Sequence, residues 1–135
     1  MPRWMLDTNI CIYLIKHQPE VVAQRFAQCR LGDVVMSAIT HAELAFGVAA
    51  AADPERAQAA LDDLIEDIPV LPFDTAAGRA YGPIRQATRE SKKDHLDKLI
   101  AAHAVAAGVT LVTNNTRDFL CYPGLRLENW LEDAT

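Results

Sequence analysis

Trp4-Met5-Leu6-Asp7-Thr8-Asn9-Ile10-Cys11-Ile12-Tyr13-Leu14-Ile15-Lys16 holds two apolar patterns joined by a single acid. Trp4–Leu6 reads as a strand, and Thr8–Lys16 as a helix apolar on nearly every side and therefore buried. The same alternation continues along the chain. Residues 20–28 predict a second helix with Pro19 at its start, and residues 34–36 a strand feeding a helix over 40–52. Asp53-Pro54 is a cap followed by a first-turn proline, opening a helix to residue 66. Val70–Leu71 is a short strand, and Asp74 an N-cap for a helix to residue 90. A helix over 96–107 ends at Gly108, Thr110–Val112 is a strand, and residues 125–127 form a last one. Strands separated by helices pair in parallel through right-handed crossovers. The expected fold is a single α/β domain over residues 1–135, with three α/β/α layers around a central parallel sheet. In such sheets ligands gather beyond the carboxyl ends of the strands, where strand order reverses. Residues just after strands are the first place to look for chemistry.

Composition narrows the class. Of 135 residues, 50% are hydrophobic and 23% charged, enough apolar surface for one core and too much for a disordered chain. No uncharged run approaches the roughly 18 apolar residues of a spanning helix. Asp7 and Asn9 interrupt any signal-peptide core, so the chain is expected to be cytoplasmic. Cys11, Cys29 and Cys121 are odd in number and far apart, which supports neither a disulfide framework nor a thiolate zinc site. The net charge of −5 is local: residues 53–67 carry six acids against Arg56, and the rest of the chain balances. Residues 79–98 lean basic, with Arg79, Arg85, Arg89, Lys92, Lys93 and Lys98 against Glu90, Asp94 and Asp97. That strip is either a solvated helix face or a phosphate contact.

Four acids stand at expected strand ends or helix starts. Asp7 follows the first strand and suits either a helix N-cap or a site. Glu43 shares a helical stripe with Ile39, Phe46, Gly47 and Ala50, which turns it inward, while Thr40-His41-Ala42-Glu43 also fits a capping box. Asp97 stands beside the stripe Leu96, Leu99, Ile100, His103 and Ala107, in a first turn where acids favour the helix dipole. Asp118 closes Thr113-Asn114-Asn115-Thr116-Arg117-Asp118 after the fourth strand and suits a turn or cap. If the four converge, repulsion decides the chemistry. Two carboxylates about 4 Å apart repel by roughly 4 kcal/mol at an effective dielectric of about 20, so a cluster needs protons or a cation. Carboxylate oxygens with water suit Mg²⁺ or Mn²⁺, and such an ion supports phosphodiester cleavage. His103 reads as a packed core histidine, His41 and Cys11 lack triad partners, and neither GxGxxG nor GxxxxGK[ST] occurs.

The segments MLDTNICIYLIK, SAITHAELAFG, DKLIAAHAVAAGVTLVTNNTRDF and GLRLENW, in that order, resemble the VapC-type toxins of the PIN-domain family over nearly the whole chain. The resemblance implies a PIN fold and a Mg²⁺- or Mn²⁺-dependent endoribonuclease. It matches Asp7, Glu43 and Asp97 to the family's acids, with Asp7 and Asp97 on the metal. Thr8, Asn9 and Thr113 match the polar residues that orient those acids. The family's fourth acid falls at Asn115, a departure; Asp118, one turn further on, is the better candidate, with Asn115 in support. A second departure is the polar loop Glu90-Ser91-Lys92-Lys93-Asp94 before Asp97, where Asp94 is a rival carboxylate. The resemblance also implies cleavage of transfer RNA, initiator transfer RNA in its anticodon stem-loop above all. A VapB-type antitoxin partner and a homodimer follow from it as well, with Arg85, Arg89, Lys92 and Lys93 as candidate RNA contacts. Two other classes stay open on the residues alone. Asp7 could act as the nucleophile of an aspartyl phosphotransferase, although Asn9 stands where that chemistry wants a second acid. A non-enzymatic binding module would use the acids only as caps.

Overall fold

The computed structural model describes residues 1–90 and 95–132. The elements, in chain order, are β1 (Trp4–Leu6), α1 (Thr8–Lys16), α2 (Glu20–Ala27), β2 (Val34–Ser37), α3 (Ala38–Ala49), α4 (Pro54–Asp67), β3 (Val70–Leu71), α5 (Thr75–Ala87), α6 (His95–Ala107), β4 (Thr110–Val112), α7 (Thr116–Phe119) and β5 (Leu127–Glu128). The strands form one parallel sheet in the order β3-β2-β1-β4-β5, with Leu6 level with Met36 and Val112, and Val112 level with Glu128.

Alternation along each strand sends side chains to two separate cores. Leu6, Val34, Met36 and Val112 pack on one face with Ile10, Leu14, Val22 and Leu61. Met5, Val35 and Leu111 pack on the other with Ile84, Ile100, Ala101 and Phe119. Helices α1, α2 and α4 therefore cover one face and α5 and α6 the other, the three layers expected of α/β/α alternation. Among the described residues, no helix is long and apolar enough to cross a membrane.

Capping chemistry sets most boundaries. Asp7, Asp53 and Asp74 each accept the amide three residues on, from Ile10, Arg56 and Ala77, at 3.0, 3.2 and 3.0 Å. Gly108 closes α6 at φ +70°, its amide reaching Val105 O while the Val109 amide reaches Ala104 O. This is a Schellman closure, which a residue without a Cβ enters at no steric cost.

Several expectations are corrected. Helix α3 starts at Ala38, not residue 40, because Ser37 Oγ takes the Ile39 amide at 3.0 Å and caps first. The Thr40–Glu43 capping box is thus not formed: Thr40 sits within the first turn and Glu43 in the second. The stripe assigned to Glu43 is not a core stripe, since Phe46 is 75% exposed and the buried positions are Thr40 and Leu44. Helix α5 stops at Ala87, where the Thr88 hydroxyl turns back to Ile84 O at 2.7 Å. The last strand is Leu127–Glu128, in register with Leu111 and Val112, and the short α7 was not anticipated.

Candidate active site at the carboxyl edge of the sheet

The chain leaves β1 toward β2 on one side and returns from β3 to β4 on the other. Strand order therefore reverses between β1 and β4, and the crevice beyond their carboxyl ends is the favoured ligand position of such a sheet. Asp7 follows β1 and Thr113 follows β4, so both enter that crevice by topology. The Asp7 amide donates to Val112 O and the Thr113 amide to Glu128 O, both at 3.0 Å.

Asp7 is 7% exposed, and burial pushes its carboxyl up to about 6. Hydrogen bonds from the Thr113 hydroxyl and from the Ile10 and Asn9 amides pull it down, while the negative field of Glu43 pushes it up again. None of these influences is a cation. Glu43 is fixed in turn by Thr8, whose hydroxyl donates to Glu43 Oε1 at 2.7 Å. Asp7, Thr8, Glu43 and Thr113 are thus brought together from β1, α1, α3 and the end of β4.

Asp97 reaches the same edge by a different route. Helix α6 ends at Ala107 and passes through Gly108 and Val109 straight into β4, so it runs opposite to the strand. Its first turn, with Asp97, accordingly stands at the carboxyl edge. After β4, the Asn115 amide donates to Thr113 Oγ1 at 3.0 Å, and Asn115 Nδ2 donates to Asp118 Oδ2. Asn115 and Asp118 therefore act as a pair across the single turn of α7. Asn9 Nδ2 approaches Asn114 Oδ1 at 3.4 Å, and Asn114 Nδ2 donates to the Tyr13 hydroxyl at 3.1 Å.

The basic candidates divide. Arg85 lies exposed on α5 with its guanidinium toward Tyr81, and Arg89 donates to Gln86 O at 3.0 Å. Lys92 and Lys93, with Asp94, lie outside the described residues. Lys98 is not part of an exposed strip: it is 1% exposed, and its Nζ donates to Thr88 O at 3.0 Å, tying the end of α5 to the start of α6. Three side chains escaped the sequence reading: Asn114, Tyr13 and Ser37. The asparagine and tyrosine stand next to predicted residues in sequence or on the same helix, but a neutral side chain in a loop or helix carries no signal of its partner.

Two observations bear on whether a divalent cation suits this site. A carboxylate raised to about 6 by burial gains from a positive neighbour. Thr40 Oγ1, one turn before Glu43 on α3, is fully buried without a hydrogen-bond partner among the described residues, a cost of about 1–3 kcal/mol that a water or ligand would relieve. The donors are hard oxygens, which fit Mg²⁺ or Mn²⁺. Among the described residues, no three His, Cys, Asp or Glu side chains are gathered closely enough to cage a metal. The fit is therefore to an ion held by one or two carboxylates and otherwise by water and substrate, the usual mode for Mg²⁺.

The PIN domain profile matches residues 4–123. The chain belongs to the PIN-domain family. This PIN-domain chain is 40% identical over 132 residues to the tRNA(fMet)-specific endonuclease VapC of Shigella flexneri, covering 96% of this chain and 99% of that protein. It is 38% identical over 133 residues to ribonuclease VapC2 of Haemophilus influenzae, covering 97% of this chain and 100% of that one. Among solved structures it is similar to DNA-bound VapBC from Salmonella typhimurium, with a TM-score of 0.90 and 38% identity over 96% of this chain and 99% of the other.

Proposed function

We propose that this PIN-domain chain is the VapC-type toxin of a toxin–antitoxin pair, a Mg²⁺- or Mn²⁺-dependent endoribonuclease that cuts transfer RNA, with the anticodon stem-loop of initiator transfer RNA as its target. The observation that carries the reading is Asp7: a buried carboxyl at the sheet's switch point, raised to about 6, in the field of a second carboxylate. The names of the relatives at 38–40% identity supply the substrate class and the VapB-type partner. A homodimer in the cytoplasm completes the proposal.

Asp7 and Asp97 would hold the ion, with Glu43 behind them and Asp118, joined to Asn115, at the far side. When bound, the ion polarises the phosphoryl group and lowers the pKa of water. The chain's own residues do the rest. Thr113 donates to Asp7 and Thr8 to Glu43, which orients each carboxylate before substrate arrives. Asn9, Asn114 and Tyr13 form a neutral polar wall suited to ribose and base rather than phosphate. Arg85 and Arg89 offer positive charge to the RNA backbone, with Lys92 and Lys93 as further candidates.

The test is incubation of purified chain with initiator transfer RNA in Mg²⁺, in Mn²⁺ and in chelator. Cleavage confined to the loop, dependent on the ion and absent in Asp7→Asn, supports the reading. Chelator-resistant cleavage that survives Asp7→Asn overturns it.

A further inference from the structure

Two acids reach the carboxyl edge on separate helices, Glu43 on α3 and Asp97 on α6. Among the described residues, a buried hydrogen bond joins α6 to the cap of α3: His103 Nδ1 lies 2.7 Å from Ser37 Oγ. Ser37 is fully buried and His103 is 4% exposed. Ser37 is both the last residue of β2 and the N-cap of α3, its oxygen accepting the Ile39 amide at 3.0 Å. The His103 ring packs edge-on against Phe73 at 5.4 Å and donates to the Pro72 carbonyl. With that donor at Nε2, Nδ1 of the neutral ring is an acceptor, and the Ser37 hydroxyl donates to it. Burial, the main influence on this histidine, favours the neutral ring. The serine then caps α3 with its lone pair and grips α6 with its proton.

We infer that the His103–Ser37 bond is a positioning device for the candidate active site, setting how α3 stands against α6 and so where Glu43, behind the ion, stands relative to Asp97, which would hold it. Three features carry this, together with the metal-dependent reading above. Glu43 is six residues beyond Ser37, and Asp97 six residues before His103, about 9 Å along each helix. Such short, rigid arms transmit any slip at the bond to the acids. The buried side of α6 is also rich in small residues, with Ala101, Ala102 and Ala104 all at 0% exposure. Of the larger buried side chains beside them, Lys98 bonds toward the end of α5 and His103 toward the cap of α3, so the polar contact that relates α6 to α3 is the one made by His103. Finally, the Ser37 hydroxyl is held at two points, by the Ile39 amide and by His103 Nδ1, which restricts the geometry of the bond.

Calorimetric titration of the full chain with Mn²⁺ tests the inference. His103→Leu removes the acceptor and is expected to raise the Mn²⁺ dissociation constant about tenfold or more, the scale of lost outer-shell support. His103→Asn, whose Oδ1 replaces Nδ1 as acceptor, recovers most of the affinity. Ser37→Gly, which an N-cap tolerates, reproduces the loss, and the double variant loses no more than either single one. Should His103→Leu fail to fold, Ser37→Gly and His103→Asn carry the same comparison. Folded His103→Leu or Ser37→Gly binding Mn²⁺ with the wild-type constant overturns the positioning role and reduces the bond to a helix cap. Wild-type chain that takes up no Mn²⁺ overturns the metal-dependent reading itself, a result separable from the first because it appears before any substitution.

Discussion

Two carboxylates in one sheet are treated in opposite ways. Glu128 ends β5 level with Leu6, two strands from β1, and it is satisfied from three directions. The Trp4 indole donates to one oxygen at 3.1 Å and the Trp130 indole to the other at 3.0 Å, and the Arg25 guanidinium pairs with the latter. The two indoles also meet edge-to-face at 6.2 Å. Asp7, one residue beyond Leu6, is more deeply buried, has another carboxylate in its field, and among the described residues is held by amides and a hydroxyl rather than a cation. A neutralised carboxylate fastens a corner of the fold; a buried one left without a cation is suited to receive one. The sheet positions both acids, but among the described residues only the first meets a cation.

The largest effect expected from this contrast is on cleavage. Asp7→Asn keeps the cap, because asparagine is as good an N-cap as aspartate, but removes the anion. RNA cleavage should fall by at least about 10³-fold, roughly 4 kcal/mol of transition-state stabilisation, measured as single-turnover rate in Mn²⁺. Loss of a comparable size at the other acid's corner should appear in stability instead. Trp130→Ala, from a side chain 1% exposed, should cost about 3–5 kcal/mol in denaturant unfolding while leaving the Mn²⁺ dissociation constant unchanged. A large change in metal affinity there would erase the distinction between the two regions.

Next in size is a pH effect with a definite sign. A carboxyl near 6 when folded and near 3.8 when unfolded binds its proton more tightly in the folded state. Its contribution is therefore present below about pH 4 and is lost as pH rises toward 6. Metal-free Asp7→Asn should exceed the wild type in stability by about 2–3 kcal/mol at pH 7.5, with the gain vanishing at pH 3.5. Equal stability of the two proteins at pH 7.5 would mean that Asp7 is not strained by burial. Saturating Mn²⁺ should close the gap from the wild-type side.

Smaller effects sharpen the picture. Thr113→Val removes the hydroxyl that donates to Asp7 and should weaken Mn²⁺ binding about tenfold with little change in fold. Arg85→Ala and Arg89→Ala should each weaken RNA binding several-fold at low salt and reduce the salt slope by about one unit or less. A flat salt response in the wild type would remove these arginines from the interface.

The parts of this molecule that were legible in sequence are those governed by neighbours in the chain. Asp7, Asp53, Asp74 and Gly108 mark helix ends through bonds spanning three to five residues, so their letters alone place the elements. Thr8 and Thr113 were named only by likeness to the PIN-domain family. The start of α3 was misplaced because Ser37 and Thr40 are chemically equivalent caps, and only the end of β2 decides between them. Phe46 and Lys98 reversed their expected burial for a tertiary reason: which side of a helix is covered depends on the neighbour it meets. The His103–Ser37 bond spans 66 residues and the Trp4–Glu128 bond 124, so neither has a local signature. Asn115 with Asp118 lies between these extremes, a pair three residues apart whose joint geometry depends on a four-residue helix too short to announce itself.

Anomalous diffraction from crystals grown with Mn²⁺ looks directly for a divalent ion at the carboxyl edge. The predicted result is a peak bonded to an Asp7 oxygen at about 2.1 Å, with Asp97 in the same coordination shell and water filling the rest. An ordered crevice with no peak, or with Asp7 and Asp97 directed to separate sites, would contradict it.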